Sequence, residues 1–291
     1  MNKIIIPKCL DENGIEVIIN EFIRPSNSIH LDFTDAEFVS PFASIILLIM
    51  IDKAINESNK KIHFILKDKS KKKSNVKSCM FILARLGFFD SLPKGVTFYP
   101  YPPKVRGNPK GKNDAILEVT RIKELEARTI IDKVEKAINV NTNYSKDHKL
   151  DICVMVSEMI QNIFYHSMAP KSGIIAIQNF QKLKYTQMII ADTGIGIPES
   201  IRKCKDYEDK KLNDYEAILE SVKKGVSSLG RGEDRGEGLA RCVDLANKHL
   251  ANLYIRSNTG YTSIAFKRNK GYYGGGDFLS GTQIFVNFPS S

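Results

Sequence analysis

Three side chains suited to proton transfer or ligand binding recur at helical spacing in the middle of the chain. Glu158, Asn162 and His166 stand four residues apart within the segment 152–167, ICVMVSEMIQNIFYHS. At about 100° per residue, this spacing places a carboxylate, a carboxamide and an imidazole on one face of a helix. The opposite arc is apolar, so the segment predicts a helix that buries one face and shows a polar face to a site. An ordinary solvated helix face is the alternative for this segment taken alone.

Three glycine-containing blocks follow this helix along the chain. The first, 192–198 (DTGIGIP), closes an apolar run that is typical of a strand; the second, 236–239 (GEGL), opens a helical pattern; the third is Gly281-Thr282. A carboxylate at a strand end, such as that of Asp192, is able to accept a hydrogen bond from the amino group of adenine. Glycine lets the backbone turn tightly and come close to a ligand. A plain Asp-Thr-Gly turn is the alternative for the first block taken alone.

The order and spacing of these four blocks resemble the ATP-binding domain shared by gyrase, heat-shock chaperones, histidine kinases and MutL, the GHKL superfamily. The resemblance covers roughly residues 115–289. In it, Glu158 to His166 resembles the N box, Asp192 to Pro198 the first glycine box, and Gly236 to Leu239 the second. It implies an α/β sandwich, the Bergerat fold, with helices on one face of a mixed sheet, and it implies ATP and Mg²⁺ as cofactors.

The resemblance also implies a role for each block. Glu158 would be the catalytic residue, acting as base, and Asn162 would bind Mg²⁺ beside the phosphates. A helix amino terminus after the second glycine box would face the phosphates, and the polar residues 225–235 resemble the mobile lid of the superfamily. For His166, a capping or packing role is the alternative to a phosphate contact. The implied nucleotide-binding residues are Asn162, His166, Asp192, Gly194, Gly196, Ile197, Arg235, Gly236, Glu237, Gly238, Leu239 and Thr282.

The first hundred residues show a strand, buried helix, strand rhythm. Residues 29–33 and 61–66 alternate as strands do, and Ser40-Pro41 opens a strongly apolar helix. The segment 31–48 resembles the STAS domain of anti-sigma-factor antagonists, which implies a small α/β domain that binds a protein partner. The phosphorylatable serine of that family is replaced here by proline or phenylalanine. We expect Ser40 and Ser44, the nearest hydroxyls, to cap and pack the helix.

A stretch rich in proline, glycine and lysine separates the two parts. We therefore predict an α/β chain with a STAS-like domain at 1–92, a linker at 93–114 and an ATP-binding domain at 115–291. The pattern from Ala115 onward is helix-rich. The tract 271–276, GYYGGG, predicts a flexible turn between strands.

Composition and charge disfavour several classes of function. The net charge of +10 is spread along the chain, which gives no strong nucleic-acid signal. The basic run 67–77 predicts a solvated loop, with an acidic partner or an anionic surface as the alternative. The five cysteines have no paired spacing and indicate reduced thiols. The longest apolar run, 41–51, is far shorter than the ~20 residues of a spanning helix, so we expect a soluble, cytoplasmic protein that is not bound to a membrane.

Three functions remain open within the superfamily. None of the five histidines stands on a dimerising helix next to an acidic residue, which disfavours a sensor histidine kinase. We expect a regulatory ATPase that uses ATP binding and hydrolysis to change its lid and its contacts with a partner. The alternatives are an anti-sigma-factor-type serine/threonine kinase acting on a separate protein, and a nucleotide sensor without turnover. A homodimer is also open.

Overall fold

The chain forms two compact units, Met1–Asn113 and Asp114–Ser291. The computed structural model describes residues 1–12, 14–67, 79–103, 116–123, 126–166, 172–180, 183–207, 209–223, 225–226 and 237–289. Both parallel and antiparallel sheets are present, so the chain is a mixed α/β protein. In these residues no helix has both the length and the apolar character needed to cross a membrane.

The first unit is built on a four-stranded parallel sheet. Its strands, in spatial order, are β1 (Asn2–Ile5), β3 (Ser28–Asp32), β5 (Lys61–Ile65) and β6 (Thr97–Tyr99). The connections between them contain helices α1 (Gly14–Ile23), α2 (Pro41–Asn56) and α3 (Cys79–Arg85). Two short strands, β2 (Cys9–Leu10) and β4 (Phe38–Val39), form a separate parallel pair. This is the βαβ arrangement that the strand and helix patterns predict.

Helix α2 lies at the centre of this unit, and most of its residues are buried. A helix buried all round needs no polar face, which explains its unbroken apolar sequence. The backbone N–H of Ala43 donates to Ser40 Oγ at 3.1 Å, and Pro41 occupies the first turn. Ser44 is fully buried and donates to the Pro41 carbonyl at 2.6 Å. The predicted capping and packing roles of these two serines are confirmed.

The second unit is built on a five-stranded sheet. Its strands, in spatial order, are β10 (Asn252–Ala265), β11 (Lys270–Pro289), β9 (Tyr185–Asp192), β8 (Ser172–Phe180) and β7 (Ile116–Lys123). Every neighbouring pair among these described strands is antiparallel. The expectation of a mixed sheet in this unit is therefore wrong, because the parallel pairs described all belong to the first unit.

Five helices accompany this sheet in the described residues: α4 (Ala127–Asn141), α5 (Lys146–His166), α6 (Gly196–Arg202), α7 (Asp214–Ser221) and α8 (Gly238–Lys248). Helices α4, α5 and α8 share one apolar core with alternate residues of the strands. Core residues that represent each of them are Val134, Met155, Met159, Ala246, Ile175, Ile190 and Ile284. The core thus fixes α5 and α8 against the sheet.

Three local predictions are corrected by the structure. The helix-rich pattern after Ala115 begins with a strand, β7, whose pairing shifts register between Leu117 and Thr120 and so lacks a clean alternation. The linker prediction begins too early, because β6 lies within 93–114 and forms the edge of the first sheet. The tract 271–276 belongs to β11 and pairs with β10, as in Gly275 opposite Gly260.

Candidate functional site

The polar face of α5 lies against the start of α8. Arg241 Nη1 lies 3.2 Å from Glu158 Oε1, forming an ion pair between the two helices. A Cβ atom added to Gly238 would lie 3.1 Å from Glu158 Oε2 and 3.5 Å from Asn162 Oδ1. A carboxylate, a carboxamide, a guanidinium and a helix amino terminus therefore converge at one place.

Three further contacts fix the alignment of these helices. Near the start of α5, Asp151 Oδ2 accepts a hydrogen bond from Lys248 Nζ at 2.5 Å and lies 2.7 Å from His249 Nε2. Between the two ends, Cys242 Sγ lies 3.8 Å from the carbonyl oxygen of Met155. Residues later in α5 contact residues earlier in α8, so the two helices are antiparallel. This is what directs the amino terminus of α8 towards Glu158.

Helix α8 starts without a side-chain cap in the described part of the chain. Its N-cap residue, Glu237, is exposed and makes no capping hydrogen bond. The first N–H groups of any helix lack partners within the helix, and they mark the positive end of its dipole. Leu239, by contrast, packs against the apolar core. The start of α8 is therefore held by Leu239 while its backbone amides remain suited to an anionic ligand.

Asp192 forms the second half of the site, at the end of β9. It is 9% exposed, and its Oδ1 accepts the N–H of Gly194 at 2.7 Å. Burial raises the pKa of Asp192 to about 6, although backbone hydrogen bonds from Gly194 and Thr282 favour the ionised form. The carboxylate is therefore ionised at pH 7 but titrates close to neutrality.

Two glycines allow the backbone to close around this carboxylate. Gly281 has φ of +92°, and a Cβ there would lie 2.1 Å from the carbonyl oxygen of Asp192. Gly196 has φ of +82°, and a Cβ there would lie 2.7 Å from both Asn258 Oδ1 and Ser257 Oγ. Both the left-handed conformation and the lack of space exclude a side chain at these positions.

Ser257 connects the predicted first glycine box to the Gly281-Thr282 block by hydrogen bonds. Its hydroxyl donates to the Gly281 carbonyl at 2.8 Å and accepts the N–H of Ile197 at 2.9 Å. It also lies 3.1 Å from Thr282 Oγ1. Thr282 thus supports Asp192 through its backbone N–H, while its hydroxyl meets Ser257.

Ile163 connects the two halves of the site. It follows Asn162 on α5, and its Cδ1 lies 2.5 Å from the position of a Cβ added to Gly173. Gly173 in turn stands directly opposite Asp192 in the pairing of β8 with β9. The carboxyl-terminal part of α5 therefore packs on the strands whose end carries Asp192, and the predicted N box and first glycine box belong to one neighbourhood.

Several predicted site residues lie outside the described part of the chain. These are Arg235 and Gly236, together with most of the predicted lid at 225–235. His166 ends α5, but its side chain also lies outside the description. Of the basic run 67–77, only Lys67 is described. The roles assigned to all of these residues stay predictions.

Four residues of the site were not predicted from the sequence: Arg241, Ser257, Asn258 and Gln283. Gln283 Nε2 donates to the Asp192 carbonyl at 3.4 Å, and Asn258 Nδ2 donates to the Ile195 carbonyl at 3.1 Å. The side-chain oxygens of both amides are buried without a hydrogen-bond partner among the described residues. The available signals were polar residues inside strand patterns and, for Arg241, its position one turn after Gly238.

No protein-family model matches this chain, and no curated protein matches its sequence significantly. Within the described residues, no group of three or more histidine, cysteine, aspartate or glutamate side chains is placed to hold a metal ion. The chemistry of the site has to be inferred from the contacts of its own residues.

Proposed function

We propose that the second unit is a Mg-ATP-binding domain of the GHKL type, and that the protein is a regulatory ATPase. In this proposal, ATP binding and hydrolysis change the lid and the contacts with a partner protein. One observation carries it: a helix bearing Glu158 and Asn162 faces the uncapped start of α8, and the same helix packs on the strands that end in Asp192.

The adenine ring is assigned to Asp192. Its ionised carboxylate accepts a hydrogen bond from the exocyclic amino group, whereas guanine would present a carbonyl oxygen and be repelled. Gly194, Gly196 and Ile197 form the turn beside this carboxylate. The support for this assignment is the burial of Asp192 together with its two backbone donors, which hold the carboxylate in one orientation.

The phosphates are assigned to the start of α8, where the backbone amides of Gly238 and Leu239 would donate to them. Asn162 would hold Mg²⁺ through its carboxamide oxygen, since this ion binds oxygen ligands and keeps several waters and phosphate oxygens in its shell. The closeness of Asn162 Oδ1 to Gly238 fits this arrangement. Bound Mg²⁺ supplies charge neutralisation on the phosphates. Contacts from His166, Arg235, Gly236 and Glu237 are part of the proposal.

Glu158 is proposed as the general base. It accepts a proton from a water molecule while the water oxygen forms a bond to the γ-phosphorus. The bond between that phosphorus and the bridging oxygen breaks, and ADP leaves with the electron pair. Glu158 is only 21% exposed and lies beside Gly238, at the proposed phosphate site. This position supports its assignment as the base that acts on the terminal phosphate.

Water is favoured over the hydroxyls of Ser40 and Ser44 as the acceptor. Ser40 and Ser44, in the unit proposed to be STAS-like, are 4% and 0% exposed and are both engaged in α2. A phosphoryl group cannot reach either hydroxyl without opening that helix. A kinase acting on a separate protein remains the alternative, and the first unit is the proposed surface for that partner. Dimerisation is a further proposal for the same protein.

The test is to incubate the full chain with γ-labelled ATP and Mg²⁺ and to follow the label. We expect free phosphate from the wild type, at least a hundredfold less from Glu158→Gln with ATP still bound, and no binding by Asp192→Asn; general bases typically contribute about 10²–10⁴-fold. Label on the chain itself would contradict the ATPase assignment. Binding without release of phosphate would favour a sensor or a partner-dependent kinase. A wild type that binds no nucleotide would refute the proposal.

A further inference from the structure

Arg241 stands at the first complete turn of α8, directly over the proposed base. Its backbone N–H donates to the Glu237 carbonyl at 2.7 Å, and its side chain reaches across to α5. The side chain of Arg241 is 55% exposed, whereas that of Glu158 is 21% exposed. The arginine is therefore the more exposed partner of this ion pair.

This ion pair conflicts with the proposed work of Glu158. A carboxylate whose lone pair accepts a hydrogen bond from arginine is hindered from taking a proton from water. The guanidinium nevertheless lies close to the start of α8, because Arg241 Nη1 contacts the carboxylate of Glu158. A Cβ added to Gly238 would lie 3.1 Å from Oε2 of the same carboxylate. Arginine binds phosphate oxygens with two parallel hydrogen bonds, and a triphosphate carries more charge than a single carboxylate.

We propose that Arg241 senses the terminal phosphate of ATP. In the nucleotide-free protein it holds Glu158, and it moves to the γ-phosphate when ATP binds, which releases Glu158 to act as base. The inference rests on the proposed function of the site and adds to it a residue that discriminates ATP from ADP. ADP lacks the γ-phosphate, so it leaves the pair between Arg241 and Glu158 in place.

A second ion pair between the same helices provides a matched control. Lys248 and Asp151 join the other ends of α8 and α5, at 2.5 Å, with side chains that are 56% and 16% exposed. These values are close to those of the pair between Arg241 and Glu158. Lys248→Met therefore removes an ion pair of similar exposure between the helices without touching the site, while Asp151 keeps its contact with His249. This variant shows how much such an ion pair contributes to the packing of the two helices.

The first experiment compares ATP and ADP affinities by calorimetry for the wild type, Arg241→Met, Arg241→Lys and Lys248→Met. We expect Arg241→Met to lose about tenfold of the preference for ATP over ADP, as a charge-assisted hydrogen bond predicts. Arg241→Lys should keep part of the preference for ATP over ADP, because lysine retains the positive charge but lacks the paired N–H donors of a guanidinium. Lys248→Met should keep the wild-type preference, while thermal melting shows a similar small change in both methionine variants.

The second experiment separates sensing from packing. Glu158→Gln removes the partner that ATP has to displace, so this variant should bind ATP several-fold more tightly than the wild type, with an unchanged affinity for ADP. The gain should vanish in the double variant Glu158→Gln with Arg241→Met. A purely structural ion pair predicts no such gain.

Unchanged ATP preference in Arg241→Met, or a gain in Glu158→Gln that persists without Arg241, would overturn the inference while leaving the proposed function intact. A wild type that binds neither ATP nor ADP would overturn both the inference and the proposed function. Binding by the wild type is therefore measured before any variant is compared. ATP binding without hydrolysis still tests the sensor, because both experiments measure affinity.

Discussion

Asp192→Asn should stabilise the nucleotide-free protein at pH 7 and have little such effect near pH 4. Burial raises the pKa of Asp192 from its ordinary value of 3.8 to about 6. Between these values the folded protein holds a proton that the unfolded chain has released. Stability therefore falls as the pH rises through this range and stays lower above it. Asparagine carries no charge at any of these pH values, so the variant avoids the loss.

The size of the effect follows from the same two pKa values. One pKa unit corresponds to about 1.4 kcal/mol, so the rise at Asp192 corresponds to as much as about 3 kcal/mol in the free energy of unfolding. The asparagine side chain introduced by Asp192→Asn keeps an oxygen for the N–H of Gly194, which limits any constant loss from hydrogen bonding. The diagnostic quantity is the difference in the free energy of unfolding between Asp192→Asn and the wild type, and how this difference changes with pH.

The assay is urea unfolding of the wild type and the variant, without nucleotide, at pH 5, 6, 7 and 8. Asp214→Asn is a control of opposite sign. Burial acts to raise the pKa of Asp214, but hydrogen bonds from Thr259 and Arg202 outweigh it and lower that pKa below its ordinary value. Asp214→Asn should therefore be destabilising by the same amount at all four pH values, because both the lowered pKa of Asp214 and its ordinary value of 3.8 lie below this range. A difference between wild type and Asp192→Asn that is constant from pH 5 to pH 8 would refute the reasoning.

Three further predictions test other parts of the site and its supports. Protonation of Asp192 removes the proposed acceptor for adenine, so the affinity for ATP should fall about tenfold for each pH unit below about 6. Titration calorimetry measures this dependence, and a flat profile would contradict the assignment. Gly281→Ala places a Cβ 2.1 Å from a carbonyl oxygen and should lower the free energy of unfolding by about 3 kcal/mol or more. Gly95→Ala, at φ of +94° with nothing of the described chain within 4 Å of the added Cβ, should lower it by about 1–2 kcal/mol. Equal losses of thermal stability would contradict the packing argument. Burial, with the charge of His249 in addition, lowers the pKa of His148 to about 4, so the contribution of His148 to stability is complete above pH 6.5 and is lost as the pH falls towards 4. Relative to the wild type, His148→Phe should gain about 1 kcal/mol in the free energy of unfolding at pH 5 compared with pH 8, a value discounted for partial exposure. Equal shifts of the urea midpoint at both pH values would argue against this prediction.

Local sequence patterns were sufficient to predict the helices and the strand end that position the site. The polar row of α5 and the capped start of α2 depend on residues within a few positions of one another, and both are found in the structure. Asp192 could be placed at a strand end because an apolar run stops there, and it is the last residue of β9. Element bounds differ by a few residues, as for α5, which starts at Lys146.

Long-range pairing could not be predicted from these patterns. The direction of each strand in the second sheet depends on partners far along the chain, and nothing local distinguishes an antiparallel from a mixed arrangement. Residues 252–265 form one strand, but a register shift at Ser257 to Gly260 interrupts the alternation and makes it look like two. Arg241 contacts Glu158 across 83 positions, so its role has no signature in its own neighbourhood.

The glycines of the site have a physical role that the sequence suggests only in part. Sequence reasoning assigns Gly194 and Gly196 to close approach between backbone and adenine. The structure shows that the space a side chain would need is already taken by protein atoms: Ser257 and Asn258 at Gly196, the Asp192 carbonyl at Gly281, and Glu158 at Gly238. A glycine that brings protein groups together fixes them in place before any ligand arrives. Replacing it should therefore disturb folding in the absence of nucleotide as well as binding, which is why Gly281→Ala is tested by thermal stability without ATP.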